Sequence, residues 1–85
     1  MYTIEYQPQA IKALLKMPRT TARLIKGKIE SLAESPHVQN NNVKKLTGED
    51  GYRLRVGDWR VIYELQDERL VVIVVKIKPR GEAYK

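Results

Sequence analysis

Arg53, Arg55 and Arg60 are the side chains whose type and spacing could carry chemistry. Arg53 and Arg55 alternate with Tyr52, Leu54 and Val56, and Arg60 follows Trp59 at the head of a second β-like run, Trp59–Leu65. Only Gly57-Asp58 separates the two runs. Such a pair of turn-forming residues between β-like runs predicts a hairpin with a primed turn. With Gly57 and Asp58 as the loop, Val56 pairs with Trp59, Arg55 with Arg60, Leu54 with Val61 and Arg53 with Ile62. Side chains alternate between the faces of a strand, and directly opposed residues share a face. Three arginines therefore converge. Like charges set across strands cost about 0.2–1 kcal/mol per pair, and a bound anion would offset that cost. A half-buried sheet also needs a polar outer face, so the pattern alone leaves open a merely solvated surface.

The elements that position these residues follow from the rest of the chain. Tyr2-Thr3-Ile4-Glu5-Tyr6 alternates and predicts a short first strand. Pro8 suits the first turn of a helix. Ile11, Leu14 and Leu15 then give helical spacing over Gln9 to Lys16. Pro18 breaks this helix and opens the next. Ala22, Ile25, Ile29 and Leu32 keep three-four spacing from Thr20 to Ala33, with Arg19, Arg23, Lys26 and Glu30 on the other side. Gly27 either permits close helix packing or has no role there. Ser35-Pro36 ends the second helix, and a polar loop with three successive asparagines leads through Val43–Gly48 into the hairpin. A tight turn is expected at Gln66 to Arg69. Leu70 to Val75 is a continuous apolar run, as expected of a strand with both faces covered. The expected fold is α+β, ordered β-α-α-β-β-β, with a helical hairpin on one face of a small, mostly antiparallel sheet. Leu54, Val56, Trp59, Val61, Tyr63 and Leu65 should meet the helices. A turn centred on Asp67-Glu68 would set Ile73 opposite Ile62 and Val75 opposite Arg60. That register leaves an apolar patch beside the arginines, covered by a partner or by the chain's own tail.

Composition narrows the function classes. Eighty-five residues make one small domain, 1–85, and 42% hydrophobic residues support a modest core. There is no cysteine and one histidine, so disulfide frameworks, thiolate metal sites and histidine-based metal sites are excluded. Neither a metal nor another cofactor is expected. The start, Met1-Tyr2-Thr3-Ile4-Glu5, lacks the pattern of a signal peptide, and Leu70–Val75 is too short to span a bilayer. A cytoplasmic protein with no membrane association is expected. The formal net charge of +6 points toward an acidic partner, nucleic acid above all.

Segments along the whole chain resemble the RelE/ParE superfamily of toxins from toxin–antitoxin pairs. They are Glu34-Ser35-Pro36, Lys45-Leu46-Thr47-Gly48, Gly51-Tyr52-Arg53-Leu54-Arg55, Asp58-Trp59-Arg60-Val61-Ile62-Tyr63, Val72-Ile73-Val74-Val75-Lys76-Ile77 and Arg80-Gly81-Glu82-Ala83-Tyr84. No one segment is diagnostic; their order and spacing are. The RelE branch implies an endoribonuclease that cuts messenger RNA in the ribosomal A site and a cognate antitoxin that silences it. Carried over by position, the resemblance implies Arg53, Arg55, Arg60, Arg80 and Tyr84 as catalytic residues. Lys44, Lys45 and Lys78 are candidate RNA-binding cations. RelE proper often has lysines where this chain has Arg53 and Arg55, and Arg80 competes with Lys78 for one role. The ParE branch implies instead a DNA gyrase poison without ribonuclease activity. A non-catalytic basic RNA-binding domain is a third reading.

The ribonuclease reading makes chemical demands on these residues. Metal-free RNA cleavage uses the ribose 2′-OH as nucleophile on the adjacent phosphate. It needs a proton acceptor, cations for the phosphorane and an acid for the leaving 5′-oxygen. Arginine's planar fork and permanent charge suit the phosphate and make it a poor base. Tyr84 can serve as base if neighbouring cations lower its pKa, or can stack on a nucleobase. Glu82 and Glu64 are further base candidates, Glu64 also being placed to pair with Arg53. His37 is the one side chain that ordinarily titrates near neutral pH, but it lies in the loop ahead of the hairpin.

Overall fold

The computed structural model of the protein describes residues 1–80. Tyr84, and Glu82 with it, lie outside these residues. The element order is β1 (Thr3–Tyr6), α1 (Pro8–Lys16), α2 (Arg19–Glu34), β2 (Val43–Lys45), β3 (Tyr52–Val56), β4 (Trp59–Gln66) and β5 (Val71–Pro79). The strands form one sheet in the order β1-β5-β4-β3-β2. β1 runs parallel to β5, and every other pairing is antiparallel. No helix among the described residues is long and apolar enough to cross a membrane.

Both helices lie on one face of the sheet. Pro8 occupies the first turn of α1, where its missing N–H costs nothing. α2 buries Ile25, Ile29, Leu32 and Ala33, a stripe at helical spacing. These meet Leu54, Val56, Val61, Tyr63, Val72, Val74 and Ile77 of the sheet, with Ala10 of α1 and Met17 of the linker completing the core. Trp59 and Leu65 pack against that cluster at its margin. Tyr63 stacks on its cross-strand neighbour Tyr52, ring centroids 5.5 Å apart. Burial and the nearby Tyr52 push the Tyr63 hydroxyl up to about 12.

The hairpin has the expected register: Val56 pairs with Trp59, Arg55 with Arg60, Leu54 with Val61 and Arg53 with Ile62. Gly57 has φ +58, while Asp58 keeps a negative φ. Glycine at the first central position with positive φ is the pattern of a type II′ turn, whose twist matches the strands.

Two features differ from expectation. Val43–Lys45 is a short edge strand, β2, paired to β3. Three residues, two of them lysines, carry no β signal of their own; the partner strand creates the element. The β4–β5 register also differs. The turn spans four residues, with Leu70 at φ +55, so Ile73 lies opposite Glu64 rather than Ile62. A bulge then places Val74 opposite Tyr63 but Lys76 opposite Ile62, leaving Val75 as the extra residue. Past this point the side chains change face. Ile77 turns into the core beside Val61, and Lys76 and Lys78 join the arginine face. The neighbours of the arginines on β5 are therefore lysines, and the apolar patch of Ile73 and Val75 expected beside them is replaced by positive charge.

Gly27 is exposed on α2, and a methyl group built there meets no atom within 4 Å. It serves no close packing. Gly27→Ala is expected to stabilise the fold by about 1 kcal/mol through helix propensity alone, read as a raised urea midpoint at unchanged slope.

Candidate functional site: a cationic groove at the hairpin tip

The sheet face opposite the helices gathers cations in two rows. Cross-strand pairing sets Lys44 beside Arg53, Arg53 beside Ile62 and Ile62 beside Lys76. The next row is Arg55, Arg60 and Lys78. Lys45 pairs with Tyr52 and alternates to the other face, so the structure does not bring it into the cluster. Within these two rows Lys76 is the cation with no signal in the sequence, because only the bulge in β5 turns it outward.

The second row opens into a groove of about 450 Å³. Arg55, Arg60 and Arg80 line it, together with Asp58 of the turn and Leu24, Lys28 and Asn42 from α2 and the loop before β2. β2 stops short of the hairpin tip, which leaves this part of β3 open to α2. The Arg55 N–H donates to the Asn42 carbonyl at 2.8 Å, so the asparagine loop continues the sheet edge by one bond. The Arg80 N–H donates to the Asp58 carbonyl, also at 2.8 Å. That bond anchors Arg80 to the hairpin turn, more firmly than its place after the last strand suggested. Lys28, Asn42 and Leu24 gave no sequence signal as site residues. Their helical and loop spacing is ordinary, and only packing places them across from Arg55.

Arg60 differs from expectation. Alternation along the strand turns it outward, where an arginine contributes little to the core, yet it is only 5% exposed. Its Nη1 donates to the carbonyls of Gly57 and Trp59, each at 3.0 Å. The guanidinium folds back over its own turn, placing two backbone acceptors against the charge. Its Nε is buried and has no hydrogen-bond partner among the described residues. Arg60 is thus held rigidly by β4 and by the turn, and it holds the turn in return. Arg53 is half-buried, and Arg55 is exposed.

His37 lies elsewhere. Its Nε2 sits 2.7 Å from Asp67 Oδ1, and the Tyr2 hydroxyl donates to the same oxygen at 2.6 Å. The Tyr2 and His37 rings meet edge-on with centroids 6.2 Å apart. Asp67 follows β4 at the end away from the hairpin turn, so this cluster is remote from the groove. It clasps the start of β1, the loop after α2 and the β4–β5 turn. The hydrogen bonds from Tyr2 and His37 hold the Asp67 carboxyl below its ordinary value, and the bond to Asp67 raises the Tyr2 hydroxyl.

The family model for the ParE toxin of type II toxin–antitoxin systems, parDE, matches residues 4–84. The chain belongs to the RelE/ParE toxin superfamily. It is similar to the mRNA interferase toxin RelE of Escherichia coli K12, 27% identical over 85 residues that cover 98% of this chain and 90% of the relative. Its fold is similar to that of the toxin in the archaeal RelE–RelB complex from Pyrococcus horikoshii OT3. There the TM-score is 0.81 at 34% identity, covering 95% of this chain and 97% of the other. The isolated E. coli RelE toxin gives a TM-score of 0.79 at 29% identity, with 99% and 92% covered.

Two predictions come from these contacts. Arg60→Ala removes two bonds to turn carbonyls and is expected to cost roughly 1–3 kcal/mol of stability, measured by urea denaturation. An unchanged midpoint would mean that the arginine does not hold the turn. The clasp should loosen at both extremes of pH. A depressed carboxyl pKa contributes stability that is present above the ordinary value of 3.8 and lost as pH falls through the lowered one. A raised tyrosine pKa contributes stability that is present below 10.0 and lost as pH rises through the raised one. The melting-temperature difference between wild type and Asp67→Asn should shrink at both ends of a pH series.

Proposed function

We propose that this protein is the toxin of a toxin–antitoxin pair and acts as a metal-independent endoribonuclease on messenger RNA in the ribosomal A site. The observation that carries the reading is the convergence of Arg55, Arg60 and Arg80 on one groove. These residues come from both hairpin strands and from the residue after β5. Permanent cations from three backbone segments suit a phosphate that gains charge during reaction. Arg60 is the best preorganised of them, being fixed by β4 and by two turn carbonyls. Arg53, Lys44 and Lys78 extend the positive face beyond the groove and suit the flanking backbone of the strand. In this mechanism the 2′-oxygen attacks the adjacent phosphorus, the arginines take up the phosphorane charge, and the 5′-oxygen leaves. Tyr84 is the proposed proton carrier. A site built mainly from arginines depends on an oriented substrate, and the ribosome supplies that orientation. The similarity to an E. coli protein named mRNA interferase supports the same reading.

A cognate antitoxin is the second proposed partner; the similar Pyrococcus toxin was solved in complex with RelB. An apolar groove of about 590 Å³ between the helices, lined by Ile11, Leu14 and Leu15 and edged by Arg19 and Lys26, suits an acidic amphipathic segment.

The match to the ParE family model favours a second reading, a gyrase poison. Induced expression separates the two: arrested protein synthesis fits the first, and DNA breaks with synthesis continuing fit the second. At the chemical level, ribosome-bound message should yield fragments ending in 2′,3′-cyclic phosphate. Arg55→Ala, whose side chain is exposed, should slow single-turnover cleavage by roughly 100-fold while the melting temperature stays within a few degrees. Wild-type cleavage by a folded Arg55→Ala would remove that arginine from the reaction.

A further inference from the structure

The arginine groove does not end at the hairpin tip. A second groove of about 250 Å³ continues from it between α2 and the loop before β2. Lys28, Asn42 and Arg55 line both and form the waist between them. Beyond the waist the lining changes character: Ser31 of α2 faces Gln39 and Asn40 of the loop, and among the described residues no carboxylate lines this second stretch. The loop is held in shape by its own backbone. Asn40 Oδ1 accepts from the Asn42 N–H at 2.9 Å, the Asn40 carbonyl accepts from the Val43 N–H, and the Asn42 carbonyl accepts from Arg55. These bonds use main-chain groups of Asn42, an exposed residue that lines both grooves.

One end of this channel is therefore cationic, and the other sets the amides of Gln39 and Asn40 and the hydroxyls of Ser31 and Ser35 beside Leu32, Val38 and Leu54. Cations answer phosphates, whereas amides carry both donors and acceptors and can read the edge of an unpaired base. We infer that the RNA strand continues through the waist, with Lys28 on a phosphate next to the cleaved one and the Gln39–Asn42 rim reading the neighbouring base. This deepens the ribonuclease reading and rests on it. It gives the asparagine run a role: setting which messages are cut, with no part in the chemical step.

The test uses a short 2′-fluoro RNA, which cannot be cleaved, and ribosomes programmed with a panel of messages. Lys28→Gln and Lys28→Ala should weaken binding of the oligonucleotide by roughly tenfold. They should also flatten the dependence of log K on log salt by about 0.7, one phosphate contact to a single strand. Asn42→Ala should leave the salt slope unchanged and reorder the preferred cut sites, as should Gln39→Ala if Asn42→Ala proves poorly folded. If wild type binds and cuts RNA but the Lys28 variants keep its slope and the loop variants keep its ranking, the inference is overturned and the proposed function stands. The inference also fails if the Lys28 variants weaken only antitoxin binding. If wild type neither binds the oligonucleotide nor cuts any message, both fall.

Discussion

Arg60 is the point at which the constraints of this molecule meet. It lies in the middle of the sheet order, with Arg55 on one side and Lys78 on the other. Three cations in adjacent strands repel, and a buried guanidinium adds a desolvation cost. The fold answers with the carbonyls of Gly57 and Trp59, which accept from the buried charge within the same hairpin. The type II′ turn makes this possible, because Gly57 at positive φ closes the loop in two residues and leaves the arginine in reach of its carbonyl. Stability and proposed chemistry are therefore coupled at this residue. The bonds that fix the guanidinium for a phosphate are the bonds that hold the turn.

The remaining cations are brought to Arg60 by unrelated devices. Arg55 arrives through hairpin register. Lys78 and Lys76 arrive through one extra residue in β5, which also turns Ile77 into the core. Arg80 arrives through a single backbone bond to the turn. α2 contributes Lys28 from the margin of its buried stripe, three residues after Ile25 and four before Leu32. A groove assembled from so many segments is a product of the whole packed sheet, and no one of them could form it alone.

The sheet also divides its labour by end. At the hairpin end, charge is concentrated and the edge strand stops short, leaving an open groove. At the other end, Tyr2, His37 and Asp67 join three segments through one carboxylate oxygen. The histidine, attractive as a catalyst from its ordinary titration range, is part of that clasp. Residue type suggested chemistry there, and position assigns it to structure.

Much of the architecture was determined locally and could be read from the sequence. Hairpin pairing follows from two-residue alternation and a two-residue turn, both short-range and steric. The helix boundaries follow from Pro8, Pro18 and apolar spacing, and they hold to within a residue or so. The convergence of Arg53, Arg55 and Arg60 on one face was legible for the same reason. Packing decided the rest. The edge strand β2 exists because β3 offers unpaired backbone groups. The bulge at Val75 exists because Val74 and Ile77 must both reach the core, a demand that no alternation rule within Val71–Pro79 expresses. The burial of Arg60, and the meeting of Lys28 and Asn42 with Arg55, depend on where α2 settles against the sheet. Those contacts join residues far apart in the chain, and only the three-dimensional fold fixes such distances.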